Sequence, residues 1–173
     1  MNDRLQKIAL GGGCHWCTEA VFLSLKGVEK VEQGYVASVG EASGFSEAIV
    51  IHFNEQQISL NTLIKIHLYT HRSTSQHSFR DRYRSAIYIF SKSQQKESTN
   101  VLLKLQNKFE DTIITKVLPF NSFKPSREAI TNYFYKNPEK PFCSQYIAPK
   151  LKILLEQFSD VVDGARVAGA NVK

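Results

Sequence analysis

The chain predicts an α+β fold: a two-layer, ferredoxin-like (split βαβ) sandwich with an extra helix and strand and an irregular C-terminal extension. Three observations carry that prediction. Apolar residues recur every second position in some stretches and at helical spacing in others. Those stretches follow one another as strand, helix, strand, strand, helix, strand, then a further helix and strand. The 173 residues, 42% hydrophobic and 22% charged, suffice for one filled core.

The elements fall in this order. Arg4 to Leu10 reads as a strand running into Gly11, Gly12 and Gly13. From Cys14 to Leu25, Trp16, Ala20, Val21 and Leu25 recur at helical spacing, and Gly27 stops the helix. Val28 to Val36 is a strand. Glu47 to Phe53 is another, with Ala48, Val50 and His52 on one face and Ile49, Ile51 and Phe53 on the other. Leu60 to Tyr69 is a helix with Ser59 as its N-cap. Ala86 to Phe90 is an apolar strand, Ser93 to Phe109 a long amphipathic helix and Thr112 to Leu118 a strand. Residues 120–148 hold three of the five prolines and read as irregular. Pro149 to Phe158 is a closing helix with Pro in its first turn. One domain is expected over residues 1–160, with 161–173 as a flexible tail of small and polar residues.

Composition narrows the function. No long uncharged apolar run is present, so no membrane span is expected. The first residues lack the apolar centre of a signal peptide, so the cytoplasm is expected. The net charge of +6, from 22 Lys and Arg against 16 Asp and Glu, is dispersed, and no nucleic-acid module accompanies it. Three cysteines in a chain of this length point to free thiols, catalytic, metal-binding or buried, rather than to a stapled scaffold.

The chemistry concentrates in Gly11-Gly12-Gly13-Cys14-His15-Trp16-Cys17, which contains the chain's only tryptophan. A phosphate loop would need a Gly-Lys-Ser/Thr ending, and a dinucleotide fingerprint would need glycine where Trp16 stands. A metal clip has Cys14, His15 and Cys17 as ligand types, but no second half follows, so no metal is expected. A redox pair has a direct physical basis. A strand, a glycine turn and a helix put Cys14 at a helix N-terminus, where unpaired N–H groups and the dipole favour its thiolate. Cys17 lies one turn along and can attack an oxidised Cys14. Thioredoxin-like disulfide exchange fits poorly, because Trp16 and His15 lie inside the pair, and an aromatic beside the nucleophile suggests a pocket wall.

Here the residues resemble the peptide methionine sulfoxide reductase A family, specific for the S epimer of the sulfoxide. Gly13-Cys14-His15-Trp16-Cys17-Thr18-Glu19 is similar to its Gly-Cys-Phe-Trp-Gly signature. Leu25-Lys26-Gly27-Val28, Gly34-Tyr35, Gly44-Phe45-Ser46-Glu47-Ala48 and Tyr83-Arg84-Ser85-Ala86-Ile87-Tyr88 match further blocks in order. Phe142-Cys143 and Ile147-Ala148-Pro149-Lys150 resemble the closing segment of many members, so the resemblance spans roughly residues 5–158.

The resemblance implies an enzyme and a set of roles. Cys14 is the nucleophile and becomes a sulfenic acid. Glu47 is the acid that protonates the sulfoxide oxygen, and Tyr35 and Tyr83 are phenols that bind it. Trp16 and His15 wall the pocket for the substrate methyl group. Cys17 is the first candidate to resolve the sulfenic acid by proximity, and Cys143 the second. The family implies no bound cofactor, thioredoxin as reductant with dithiothreitol standing in for it, and oxidised proteins or peptides as substrates. A monomer is expected. The rivals are a Cys-x-x-Cys thiol–disulfide oxidoreductase and a non-catalytic metal or redox-sensing module.

Two departures stand out. His15 replaces the family's Phe and brings a group able to titrate near neutral pH. Before Tyr83 the family usually has Asn-Asp-x-Gly-x-Gln; here the stretch is His77-Ser78-Phe79-Arg80-Asp81-Arg82. The usual acid therefore falls on Ser78, and Asp81 is out of register.

Overall fold

The structure, a computed structural model, describes residues 5–170. Arg4, placed at the start of the expected first strand, and residues 171–173 of the expected tail lie outside the described residues.

The core of the fold is the predicted one. β1 (Leu5–Gly11), α1 (His15–Leu23), β2 (Val28–Ala37), β3 (Ser46–Asn54), α2 (Leu60–Thr70) and β4 (Ala86–Ile89) follow in order, then α3 (Lys92–Leu105) and β5 (Lys116–Pro119). With β6 (Ser122–Pro125) they form one sheet in the order β5-β4-β1-β3-β2-β6. The four middle strands are antiparallel neighbours. β1 and β2 therefore run the same way with β3 between them, which is the split βαβ arrangement. β5 adds in parallel to β4 at one edge, and β6 antiparallel to β2 at the other.

The alternation read along β3 decides the layering. Ile49, Ile51 and Phe53 join Ile8, Leu10 and Ile87 under the helices, against Phe22 of α1, Leu63 and Ile64 of α2, and Val101 of α3. Each fully buried Leu, Ile or Phe there contributes about 1.5–3 kcal/mol. Ala48 and Val50 turn to the opposite face with Ala9, Val36 and Tyr88, where Leu118, Phe120 and Phe123 pack against them. Ser59 caps α2 as expected, its Oγ accepting from the Thr62 N–H at 3.1 Å. Gly27 turns at φ +85°, where a Cβ would also lie 2.8 Å from Gln57 Cβ.

The structure corrects the rest. Residues 112–115 do not extend β5, because the Ile113 N–H goes to the Gln106 side chain and the Ile114 N–H to the Ser73 carbonyl. The stretch expected to be irregular contains β6, α4 (Tyr133–Lys136) and a single π turn at Cys143–Ile147. α5 (Ala148–Gln157) follows, with Pro149 in its first turn. The flexible tail expected at 161–173 is, over its described part, packed structure. Val162 bridges to Leu25, Asp163 caps α6 (Gly164–Gly169), and Val167 is buried in the helix-side core. Two apolar residues five apart are too short a pattern to read as a helix, yet enough to bury one.

Candidate active site

Cys14 stands where β1 hands over to α1. Just past the end of β1, Gly12 lies against the His71 ring, where a Cβ would be 2.4 Å from His71 Cδ2, so only glycine fits without moving that ring. Cys14 then takes the N-cap position, and its carbonyl accepts from the Cys17 and Thr18 N–H groups at 3.0 and 3.2 Å. Its pKa is lowered, chiefly by a hydrogen bond from the Cys17 thiol and further by the Trp16 and Cys17 N–H groups; burial and the nearby Glu47 charge oppose them. The same thiol–thiol bond, with burial and the Cys14 charge, pushes Cys17 far up, while Lys150 pulls it the other way. All three cysteines are free thiols, with Cys14 half-buried and the others buried.

Glu47 lies beside this turn. It sits directly opposite Tyr35 in the β2–β3 register and is 3% exposed. Its Oε1 accepts from the His15 backbone N–H at 3.2 Å, and His15 Nε2 lies 3.4 Å from the same oxygen. Its Oε2 accepts from Arg82 Nε at 2.6 Å. Arg82 is tied to the strand as well, since its carbonyl accepts from the Glu47 N–H and the Ser46 hydroxyl at 2.9 Å. The guanidinium lies 5.3 Å from the Tyr83 ring centre. Burial and then the Glu47 charge raise Tyr83, so its phenol stays protonated as a donor.

The two aromatics of the signature part company. Trp16 is half-buried and stacks on Tyr133 at 4.2 Å, with Phe142 edge-on at 5.3 Å. Phe142 in turn lines a cavity of about 770 Å³ with Cys14, Cys17, Phe79, Tyr83 and Tyr146. Trp16, expected in the methyl pocket's wall, is not among the residues lining that cavity, nor are Glu47 and Tyr35, nor is the other expected wall residue, His15. The His15 ring is buried, with Nδ1 2.9 Å from the Gly34 carbonyl and its plane at 64° to the Tyr35 ring. The backbone of β2 thus holds one ring nitrogen by a hydrogen bond, while the other lies at ion-pair distance from Glu47.

Cys143 heads the π turn, fully buried, its pKa raised by burial and by Glu139. It is near enough to Cys17 that its ionised form would oppose ionisation there. Ser78 lines the cavity, while Asp81 borders a separate groove with Arg84 and Lys116. Two residues escaped the sequence reading. Arg82 pairs with Glu47 across 35 positions. Lys150 is a partly buried cation of α5 that donates to the Thr70 carbonyl and borders the cavity. Each adjoins or ends a quoted block, and a charge inside such a block was the available signal. Among the described residues no group of three or more His, Cys, Asp or Glu is placed to hold a metal ion.

A thiol with a lowered pKa at a helix N-terminus, a second thiol hydrogen-bonded to it and a carboxyl–phenol group alongside are the arrangement of a cysteine-dependent oxidoreductase. Residues 6–161 match the family model for peptide methionine sulfoxide reductase. The peptide methionine sulfoxide reductase MsrA of Trichodesmium erythraeum is 34% identical over 174 residues, covering 91% of this chain and 98% of the relative. That of Psychrobacter arcticus is 33% identical, covering 90% and 97%. The chain belongs to the peptide methionine sulfoxide reductase family, as its motifs predict, and is an enzyme that reduces methionine sulfoxide. The fold agrees with solved structures. Reduced Mxr1 of Saccharomyces cerevisiae superposes with a TM-score of 0.72 at 24% identity, over 83% of this chain and 91% of that one. Mxr1 in complex with Trx2 gives 0.62 at 21% identity, over 77% and 87%.

Proposed function

We propose that the chain reduces the S epimer of methionine sulfoxide in oxidised proteins and peptides, with Cys14 as nucleophile. The Cys14 thiolate attacks the sulfoxide sulfur. In the adduct so formed Glu47 protonates the oxygen, and as the oxygen passes to Cys14 both the substrate's sulfur–oxygen bond and the new sulfur–sulfur bond break, leaving methionine and Cys14–S–OH. Tyr35 and Tyr83 donate hydrogen bonds to the oxygen as charge builds on it. Trp16, backed by Tyr133 and Phe142, flanks the substrate methyl group. Cys17 then attacks Cys14–S–OH, forming a disulfide and releasing water. A dithiol protein of the thioredoxin type reduces that disulfide, in keeping with the complex solved for the yeast relative, and dithiothreitol replaces it in the test tube. We place the enzyme in the cytoplasm as a monomeric single catalytic domain; no described helix is long and apolar enough to cross a membrane.

The observation that carries this reading is the hydrogen-bonded Cys14–Cys17 pair at the α1 N-terminus with the buried Glu47 beside it. Disulfide exchange alone would give Glu47 and the phenols nothing to protonate. Offering each epimer of a methionine sulfoxide peptide with dithiothreitol tests it. The S epimer should turn over, the R epimer should not, and Cys14→Ser should fall to the uncatalysed background. Turnover of neither epimer, or an active Cys14→Ser variant, overturns the reading.

A further inference from the structure

We propose that His15 and Glu47 act as a pair holding one transferable proton, with His15 the positioning residue that loads the Glu47 carboxyl. This rests on the proposed role of Glu47 as the acid.

The argument starts from the carboxylate's partners. Arg82 Nε at 2.6 Å and the His15 N–H at 3.2 Å both donate to Glu47. Both give hydrogen bonds to the carboxyl oxygens, yet an acid must carry a proton of its own when substrate arrives. Neither donor can release one: a guanidinium stays protonated and a peptide N–H does not titrate. The Tyr83 phenol is held in its protonated form by burial and the Glu47 charge, and Cys14 has to be a thiolate. Of the described groups against Glu47, the imidazole of His15 is the one with a ring nitrogen that can both take up and give up a proton.

The ring's orientation directs that proton. A carbonyl only accepts, so Nδ1–H donates to Gly34 O at 2.9 Å. Any second proton must then sit on Nε2, which is 3.4 Å from Glu47 Oε1. The groups around His15 are Glu47 on β3, Tyr35 on β2, Cys14 beside it on α1 and Arg82 beyond Glu47. Glu19, one turn along α1, is engaged by Gln33 Nε2 at 3.0 Å. A protonated His15 beside ionised Glu47 and a neutral His15 beside protonated Glu47 are two placings of the same proton. Delivery balances: the pair loses one proton to the oxygen, Cys14 loses two electrons and the substrate sulfur gains two. After the disulfide is reduced, ionisation of the Cys14 thiol returns one proton.

A single-turnover pH profile tests the pair. With enzyme in excess, methionine formation should rise with Cys14 ionisation and fall at higher pH as the pair empties. In His15→Asn, whose amide can still donate to Gly34 O, and in His15→Phe, the falling limb should move to lower pH. The rate at pH 7.5 should drop at least about tenfold. Adding Arg82→Gln to His15→Asn should move the limb back up, because the carboxyl then protonates more readily. A falling limb unmoved in both folded His15 variants overturns the pair. A Glu47→Gln variant with an unchanged single-turnover rate overturns instead the acid reading on which the pair rests.

Discussion

The first turn of α1 faces two ways. Cys14 and Cys17, three residues apart, point to one side and set sulfur against sulfur. His15, between them, points to Glu47 and the backbone of β2. The sulfur side is governed by neutral hydrogen bonds from backbone N–H groups and a thiol. The carboxyl side is governed by charge, through Arg82 at 2.6 Å. The contrast teaches that about 100° of helical rotation per residue suffices to put the thiols and the carboxyl on separate partners, which in the proposed cycle separates electron transfer from proton transfer.

Substitutions can break one side alone. The largest effect is expected for Cys17→Ser with a thioredoxin as reductant. The serine hydroxyl still donates to Cys14, so one equivalent of methionine should form at the normal rate and turnover should then stop. Cys143→Ser should keep turning over. Methionine counted per enzyme, with a mass-spectrometric disulfide map, reads this out; a Cys14–Cys143 bond and a stalled Cys143→Ser would move resolution to the π turn. Next comes Glu47→Gln, which should slow single-turnover reduction by about 10²–10⁴-fold. Alkylation of Cys14 by iodoacetamide should be no slower in that variant, since the Glu47 charge opposes the thiolate. Slowed alkylation would mean that the two sides are not independent.

The smallest effect on rate, and a measurable one on stability, concerns the support shared by both sides. His67 is fully buried beneath the glycine turn, with Nε2 2.8 Å from the Gly11 carbonyl, and burial lowers its pKa to about 3. The unfolded chain therefore binds a proton near pH 6.5 that the folded chain refuses. The associated stability is full above pH 6.5 and is lost as pH falls towards 3. Between pH 6.5 and 5 the loss from this group should be about 1.5 kcal/mol in urea unfolding, and His67→Gln should remove that share of the slope while the share of His71, whose pKa burial also lowers, remains. An equal slope in the variant would assign the acid sensitivity to another group.

What could be read from the sequence follows from how far apart the cooperating residues lie. β3 announces both of its faces by strict alternation, and α2 announces its start through Ser59. Cys14 at the helix start was legible because Gly12 and Gly13 precede it directly. β6 was not, being four residues long and ending in Pro125, tolerated only because it pairs at an edge. The Arg82–Glu47 pair was hidden because it joins positions 35 apart through the fold. The direction of His15 was hidden too, since neither Gly34 nor Glu47 is near it in the chain.

The hydrogen bond between the two thiols sets an order of events. While Cys14 carries charge, that bond is the chief reason Cys17 keeps its proton. Once Cys14 carries the substrate's oxygen in the proposed cycle, the charge is gone and the proton loses its main hold. Lys150, which favours the Cys17 thiolate, is then opposed by less. The second sulfur is thus armed by completion of the first step. The pair behaves as an interlock, in which the safety comes off only after the first shot.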